Sequence, residues 1–156
     1  MNKKIFISTG EVSGDLHGSL LANALFYEAK KRALDLEIYG LGGERMQKEG
    51  VKILQDTTSI SAIGIWEALP LIIPTIRIQK KFYKALKNLS PNCLVLIDYM
   101  GPNIKIGRKL KSDNNKIPIY YYIAPQEWAW RVGNNSTTDL ISFSDKIFAI
   151  FKQEAS

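Results

Sequence analysis

Asp98 closes a run of five apolar residues, Cys93 to Ile97, in the stretch CLVLIDYMGPN. Such a run, without polar alternation, is expected as a strand buried on both faces of a parallel sheet. In open α/β sheets ligands bind beyond the carboxyl ends of the strands, which is where Asp98 falls. There it suits a general base; the alternative is a cap on a helix expected to start near Pro102. A second group of reactive types lies in GEVSGDLHG, Gly10 to Gly18, where Glu11, Ser13, Asp15 and His17 stand close in sequence. Two acids would repel a phosphate unless they accept hydrogen bonds from sugar hydroxyls or backbone amides, so a sugar-facing loop suits them better. His17, the one histidine, offers a base or a substrate donor beside Asp15, or else a surface or capping side chain. The third group is APQEWAWR, Ala124 to Arg131. Its tryptophans Trp128 and Trp130 fit either a core or a ligand ring, and Arg131 could pair with a phosphate.

The elements that must position these groups follow from the apolar pattern. Lys4 to Thr9 is expected as a first strand running through the glycine-rich turn into a helix with Leu20, Leu21, Ala24 and Leu25. Strand, glycine-rich turn and helix open many nucleotide- or phosphate-handling units. The glycines at Gly10, Gly14 and Gly18 do not form the dinucleotide fingerprint, and no Gly-Lys-Ser/Thr follows. A second strand, Glu37 to Leu41, ends in glycines where a dinucleotide-binding unit would carry an acid, which argues against a nicotinamide or flavin enzyme. After Asp98 come a helix, Ile104 to Lys111, a tyrosine-rich strand, Ile117 to Ile123, and a last strand, Lys146 to Phe151. Alternating strands and helices predict a parallel, Rossmann-like sheet with right-handed crossovers and helices on both faces. The loops after the first, fourth and fifth strands then converge on one edge.

The 156 residues suffice for one domain with a sizeable core. A single cysteine, Cys93, cannot make an internal disulfide or a cysteine-based metal cluster, so a reducing compartment is expected. With one histidine and no Asp-x-Asp pair, no metal is expected either. The start, MNKKIFIST, has an apolar run only one strand long, and is expected to be neither a signal peptide nor a membrane anchor. A net charge of +6 calls for an anionic partner.

The stretch Ile60 to Ile76, ISAIGIWEALPLIIPTI, is the most hydrophobic in the chain, and Glu67, Pro70 and Pro74 leave it too short to span a bilayer. Ile65, Trp66, Leu69, Leu71, Ile72 and Ile73 exceed what one amphipathic stripe buries. In the following helical pattern Ile78, Phe82, Ala85, Leu86 and Leu89 share one face, and Arg77, Lys80, Lys81, Lys84 and Lys87 the other. The cations fit a solvated helix face. Beside the apolar segment they also fit a surface resting on anionic lipid. Nucleic acid is not expected, because the tryptophans are not interleaved with the cations and the cations lie on one helix face.

GEVSGD, GGERM, IGIWEAL, the Asp98 to Asn103 loop and PQEWAWR, in this order and at these distances, resemble the lipid-A-disaccharide synthases along the whole chain. That resemblance implies an inverting glycosyltransferase of the GT-B fold, of which this chain would be the N-terminal, acceptor-side half. Such an enzyme joins UDP-2,3-diacylglucosamine to 2,3-diacylglucosamine 1-phosphate, releases UDP and needs no cofactor beyond its donor. It would work on the cytoplasmic side of the inner membrane as a peripheral protein, with its partners the acylated sugar phosphate, the UDP-sugar and an anionic lipid surface, and at full length as a homodimer. By the same resemblance Asp98 is the leading candidate for the base. Gly10, Glu11, Ser13, Gly14, Asp15 and His17 in the first loop, Gly64 and Glu67 in the apolar segment, and Asn103, Gln126, Trp128 and Arg131 are expected to bind substrate, while Ile65, Trp66, Leu69, Ile72, Ile73, Arg77, Lys80 and Lys84 face the membrane.

Pro102 and Ala124 depart from the phenylalanine and serine usual in that family. Family chains are more than twice as long, with most of the UDP site in a second domain; this chain, ending FKQEAS, is expected to be a fragment or to work with a separate second half. Two readings compete with the enzyme: a non-enzymatic lipid- or membrane-binding module, and a basic Rossmann-like domain binding nucleotide.

Overall fold

The computed structural model describes residues 2–58, 82–98, 100–113, 116–123 and 136–148. Its elements are β1 (Asn2–Ser8), α1 (Val12–Lys31), β2 (Asp35–Gly42), α2 (Glu44–Lys48) and β3 (Lys52–Asp56), a helical segment over 82–89 termed α3, then β4 (Cys93–Ile97), α4 (Met100–Ser112), β5 (Ile119–Tyr122), α5 (Ser136–Phe143) and β6 (Lys146–Phe148). All strand pairs are parallel, in the order β3-β2-β1-β4-β5-β6. The chain thus builds outward from β1 in one direction, returns, and builds outward in the other, as doubly wound sheets do.

Side-chain alternation along the strands divides the core between the two faces. Phe6, Leu94, Leu96 and Tyr121 pack with Phe82 and Leu86 of α3, Ile106 and Leu110 of α4, and Leu140 and Phe143 of α5. Ile7, Ile38, Val95 and Ile97 pack on the other face with Ala22 of α1 and Met46 of α2. On α3 the expected apolar face is the inner one: Phe82 and Leu86 are buried, whereas Lys84 and Lys87 are exposed.

Some boundaries differ from the sequence reading. The helix after Asp98 starts at Met100 instead of Ile104, because Pro102 is compatible with a first helical turn, where its missing N–H has no partner to lose. The tyrosine strand is shorter than expected, Ile119–Tyr122, and β1 runs from Asn2 to Ser8 instead of Lys4 to Thr9. The last strand is described as far as Phe148, and the rest of its expected range lies outside the described residues. The apolar stretch Ile60 to Ile76 also lies outside them. Among the described residues no helix is long and apolar enough to cross a membrane.

Candidate active site

The strand order reverses at β1, which has β2 on one side and β4 on the other. Side chains following β1 and β4 therefore meet at the switch point, where the diverging crossovers leave a crevice. The residue following β4 is Asp98, and the turn following β1 carries Glu11, both half-buried. Burial first, and the charge of Asp98 second, raise the Glu11 carboxyl above its ordinary range. The charge of Asp98 thus reaches Glu11, an acid from a distant part of the sequence, across the crevice.

The backbone of Asp98 is unusual. Its φ is 43°, in the left-handed region that a non-glycine residue enters only at a cost. Several bonds hold it there. Its N–H donates to the carbonyl of Tyr122 at 3.3 Å. Its own carbonyl accepts from Asn103 Nδ2 at 2.7 Å and from the Tyr121 hydroxyl at 2.6 Å. Asn103 Nδ2 also donates to the Ile97 carbonyl at 3.2 Å, and its Oδ1 accepts from Ser8 Oγ at 3.0 Å, so one buried amide ties the ends of β1 and β4 together. Asn103 was expected to contact substrate; the structure places it out of solvent, with both ends of its amide committed to protein groups.

Asp15 is similarly occupied. It is buried in the first turn of α1, and its carboxylate accepts from the backbone amides of Gly43 at 2.7 Å, Arg45 at 3.1 Å and Met46 at 3.2 Å. It joins the glycine-rich turn to the start of α2, which is the backbone-amide alternative open to an acid in this loop. GLGGERM becomes intelligible through Met46, which is wholly buried where Gly18, Gly40 and Gly42 leave room for its thioether.

Of the remaining first-loop residues, Gly10 and Gly14 are buried, and a side chain on Gly14 would collide with Thr9 Oγ1. Ser13 is exposed and His17 half-buried. Gly64, Glu67, Gln126, Trp128 and Arg131 lie outside the described residues, as do Ile65, Trp66, Leu69, Ile72, Ile73, Arg77 and Lys80. Among the described residues no three histidine, cysteine or acidic side chains gather as a metal site would require. No local pattern singles out Tyr121, one of three consecutive tyrosines; only the pairing of β4 with β5 sets its hydroxyl over Asp98.

A left-handed aspartate beside a glutamate whose carboxyl is raised above its ordinary range, both at a switch point, is an arrangement that can position and deprotonate a hydroxyl. The fold recurs in the UDP-GlcNAc 2-epimerase of Neisseria meningitidis, with TM-score 0.57 at 14% identity, over 98% of this chain and 41% of that one. The UDP-GlcNAc 2-epimerase of Methanocaldococcus jannaschii gives 0.51 at 17% identity, over 97% and 40%. By fold the chain is therefore a Rossmann-like domain of the kind found in these epimerases. Residues 5–156 match the lipid-A-disaccharide synthetase family. The lipid-A-disaccharide synthases of Prochlorococcus marinus (strain MIT 9313) and Gloeothece citriformis (strain PCC 7424) are 55% and 49% identical to it over 152 residues, 97% of this chain. The chain belongs to the lipid-A-disaccharide synthetase family. It spans 39% and 40% of the length of these two relatives, matching their N-terminal part.

Proposed function

We propose that this chain forms the acceptor-side domain of a glycosyltransferase that condenses UDP-2,3-diacylglucosamine with 2,3-diacylglucosamine 1-phosphate and releases UDP. The observation that carries the reading is Asp98, fixed in a left-handed conformation at the switch point and acting electrostatically on Glu11. In an inverting transfer the acceptor oxygen attacks the anomeric carbon as UDP departs. Asp98 takes the hydroxyl proton in that step, and Glu11 orients the acceptor hydroxyls. Ser13 and His17, at the same end of α1, lie where further sugar contacts would be made. No cofactor is required beyond the nucleotide of the donor, and the second half of the family's length supplies most of the UDP site.

The test is a transfer assay with both acylated sugars, on this chain alone and on a family-length enzyme carrying this sequence. In the longer protein Asp98→Asn keeps the shape of the side chain and removes the base, so turnover should fall by roughly a factor of 10² with the circular dichroism spectrum unchanged. Near-normal turnover of Asp98→Asn would refute the assignment and make Glu11→Gln the next variant to assay.

Acylated substrates are presented at a lipid surface, and we assign the docking to Ile65, Trp66, Leu69, Ile72 and Ile73 with Arg77, Lys80 and Lys84. Of these the structure describes Lys84, which is exposed. Binding to anionic vesicles should weaken as salt screens the cations. Binding unaffected by Trp66→Ser combined with Lys80→Glu and Lys84→Glu would remove this surface from the proposal.

A further inference from the structure

Tyr121 is wholly buried among the core side chains on the α3, α4 and α5 face of the sheet, yet its hydroxyl reaches past the end of β4 to the Asp98 carbonyl at 2.6 Å. A buried tyrosine needs a partner for its hydroxyl, but this partner is specific: the carbonyl of Asp98, the left-handed residue directly after β4. Burial, and next the negative charge of Asp98, push the phenol far above its ordinary range. The hydroxyl is thereby held in its protonated, donating form. The second donor to the same carbonyl, Asn103 Nδ2 at 2.7 Å, is itself fixed by Ser8.

We propose that Tyr121 is a positioning residue for sugar transfer, which aims the Asp98 carboxylate by holding its peptide carbonyl in the left-handed arrangement. The proposal rests on the assignment of Asp98 as base. The direction of the Cα–Cβ bond follows from the backbone angles, so a carbonyl free to rotate lets the residue relax toward the ordinary right-handed or extended regions and carries the carboxylate off its aim. Displacements on the order of 1 Å cost about 10²-fold in rate when proton transfer depends on alignment. Because Asn103 still holds the carbonyl when the phenol is gone, the loss expected from removing Tyr121 alone is partial.

Tyr121→Phe removes one oxygen and keeps the core filled. It is assayed in a family-length enzyme carrying this sequence, alone and combined with Asp98→Asn. We expect kcat to fall roughly tenfold with KM for the acceptor within about twofold, since the group acts on alignment and not on binding. In the Asp98→Asn background, with no base left to aim, Tyr121→Phe should cause no further fall. Unchanged kcat in the single variant, or the same fold-loss in both backgrounds, would overturn the proposal, the latter by showing that Tyr121 acts on the fold at large. Full turnover of Asp98→Asn alone would instead overturn the assignment of the base, so the two failures are told apart.

Discussion

Replacing Asp15 by alanine should destabilise the domain more than its position in a surface helix suggests. Its carboxylate accepts from three backbone amides, those of Gly43, Arg45 and Met46, at 2.7 to 3.2 Å. Hydrogen bonds to a charged group contribute about 1.5–3 kcal/mol each, and amides left unpaired in a buried site keep most of that as a penalty. The three bonds share one carboxylate and are not additive; Arg45, on the exposed side, can turn to water. A loss of about 3–4 kcal/mol results, a large part of the roughly 5–15 kcal/mol that holds a domain folded. With a urea m-value of about 2 kcal/mol/M, the midpoint followed by circular dichroism should drop by about 1.5–2 M. Asp15→Asn, which retains one acceptor oxygen and sets an NH₂ against the amides, should lose about half as much. A shift below about 0.3 M for both variants would refute the clamp and return Asp15 to the candidates for substrate contact.

Gly14→Ala should lower the melting temperature by several degrees, roughly 1–3 kcal/mol of overpacking, although alanine is the better helix former. The added Cβ collides with Thr9 Oγ1, a buried hydroxyl without a hydrogen-bond partner among the described residues, so Thr9→Ala should restore most of the loss. A double variant no more stable than Gly14→Ala would show that the collision is not the cause. Glu11 supplies a pH test. Its folded-state pKa lies above the ordinary 4.5, so the stability it contributes is present below that value and is lost as pH rises through the folded-state pKa. Glu11→Gln should therefore gain on the parent protein as pH rises above 4.5 in denaturant titrations; a stability difference independent of pH would count against the raised Glu11 carboxyl.

The site could be read from sequence where one local pattern sufficed. An unbroken apolar run followed by an acid put Asp98 at a strand end, and the glycine-rich turn did the same for Glu11. The roles of Asp15 and Asn103 were not legible, since an acid or amide near a helix start looks the same whether it faces a sugar or a distant backbone. Asp15 finds its partners 28 to 31 positions away, and Asn103 finds Ser8 95 positions away. Tyr121 was hidden for a related reason: within a tyrosine run, only the register of β5 against β4 distinguishes the ring that reaches Asp98 from its neighbours. Apolar runs marked the strands to within a few residues, and helical periodicity marked the inner face of α3, because burial in a sheet or on a helix face leaves a local pattern.

The central place of β1 has a consequence for how the molecule comes to exist. β1, β2 and β3 are neighbours in both sequence and sheet, so this side of the domain can form through short-range contacts. The pairing of β1 with β4 closes a far longer loop, and its entropic cost precedes any return from contacts. The two carboxylates come together only in that step, along with the Ser8 to Asn103 bond that secures it. Assembly of the proposed catalytic pair and closure of the sheet thus depend on the same strand pairing. A chain in which β4 has not docked can hold much of its secondary structure and still have no site at all.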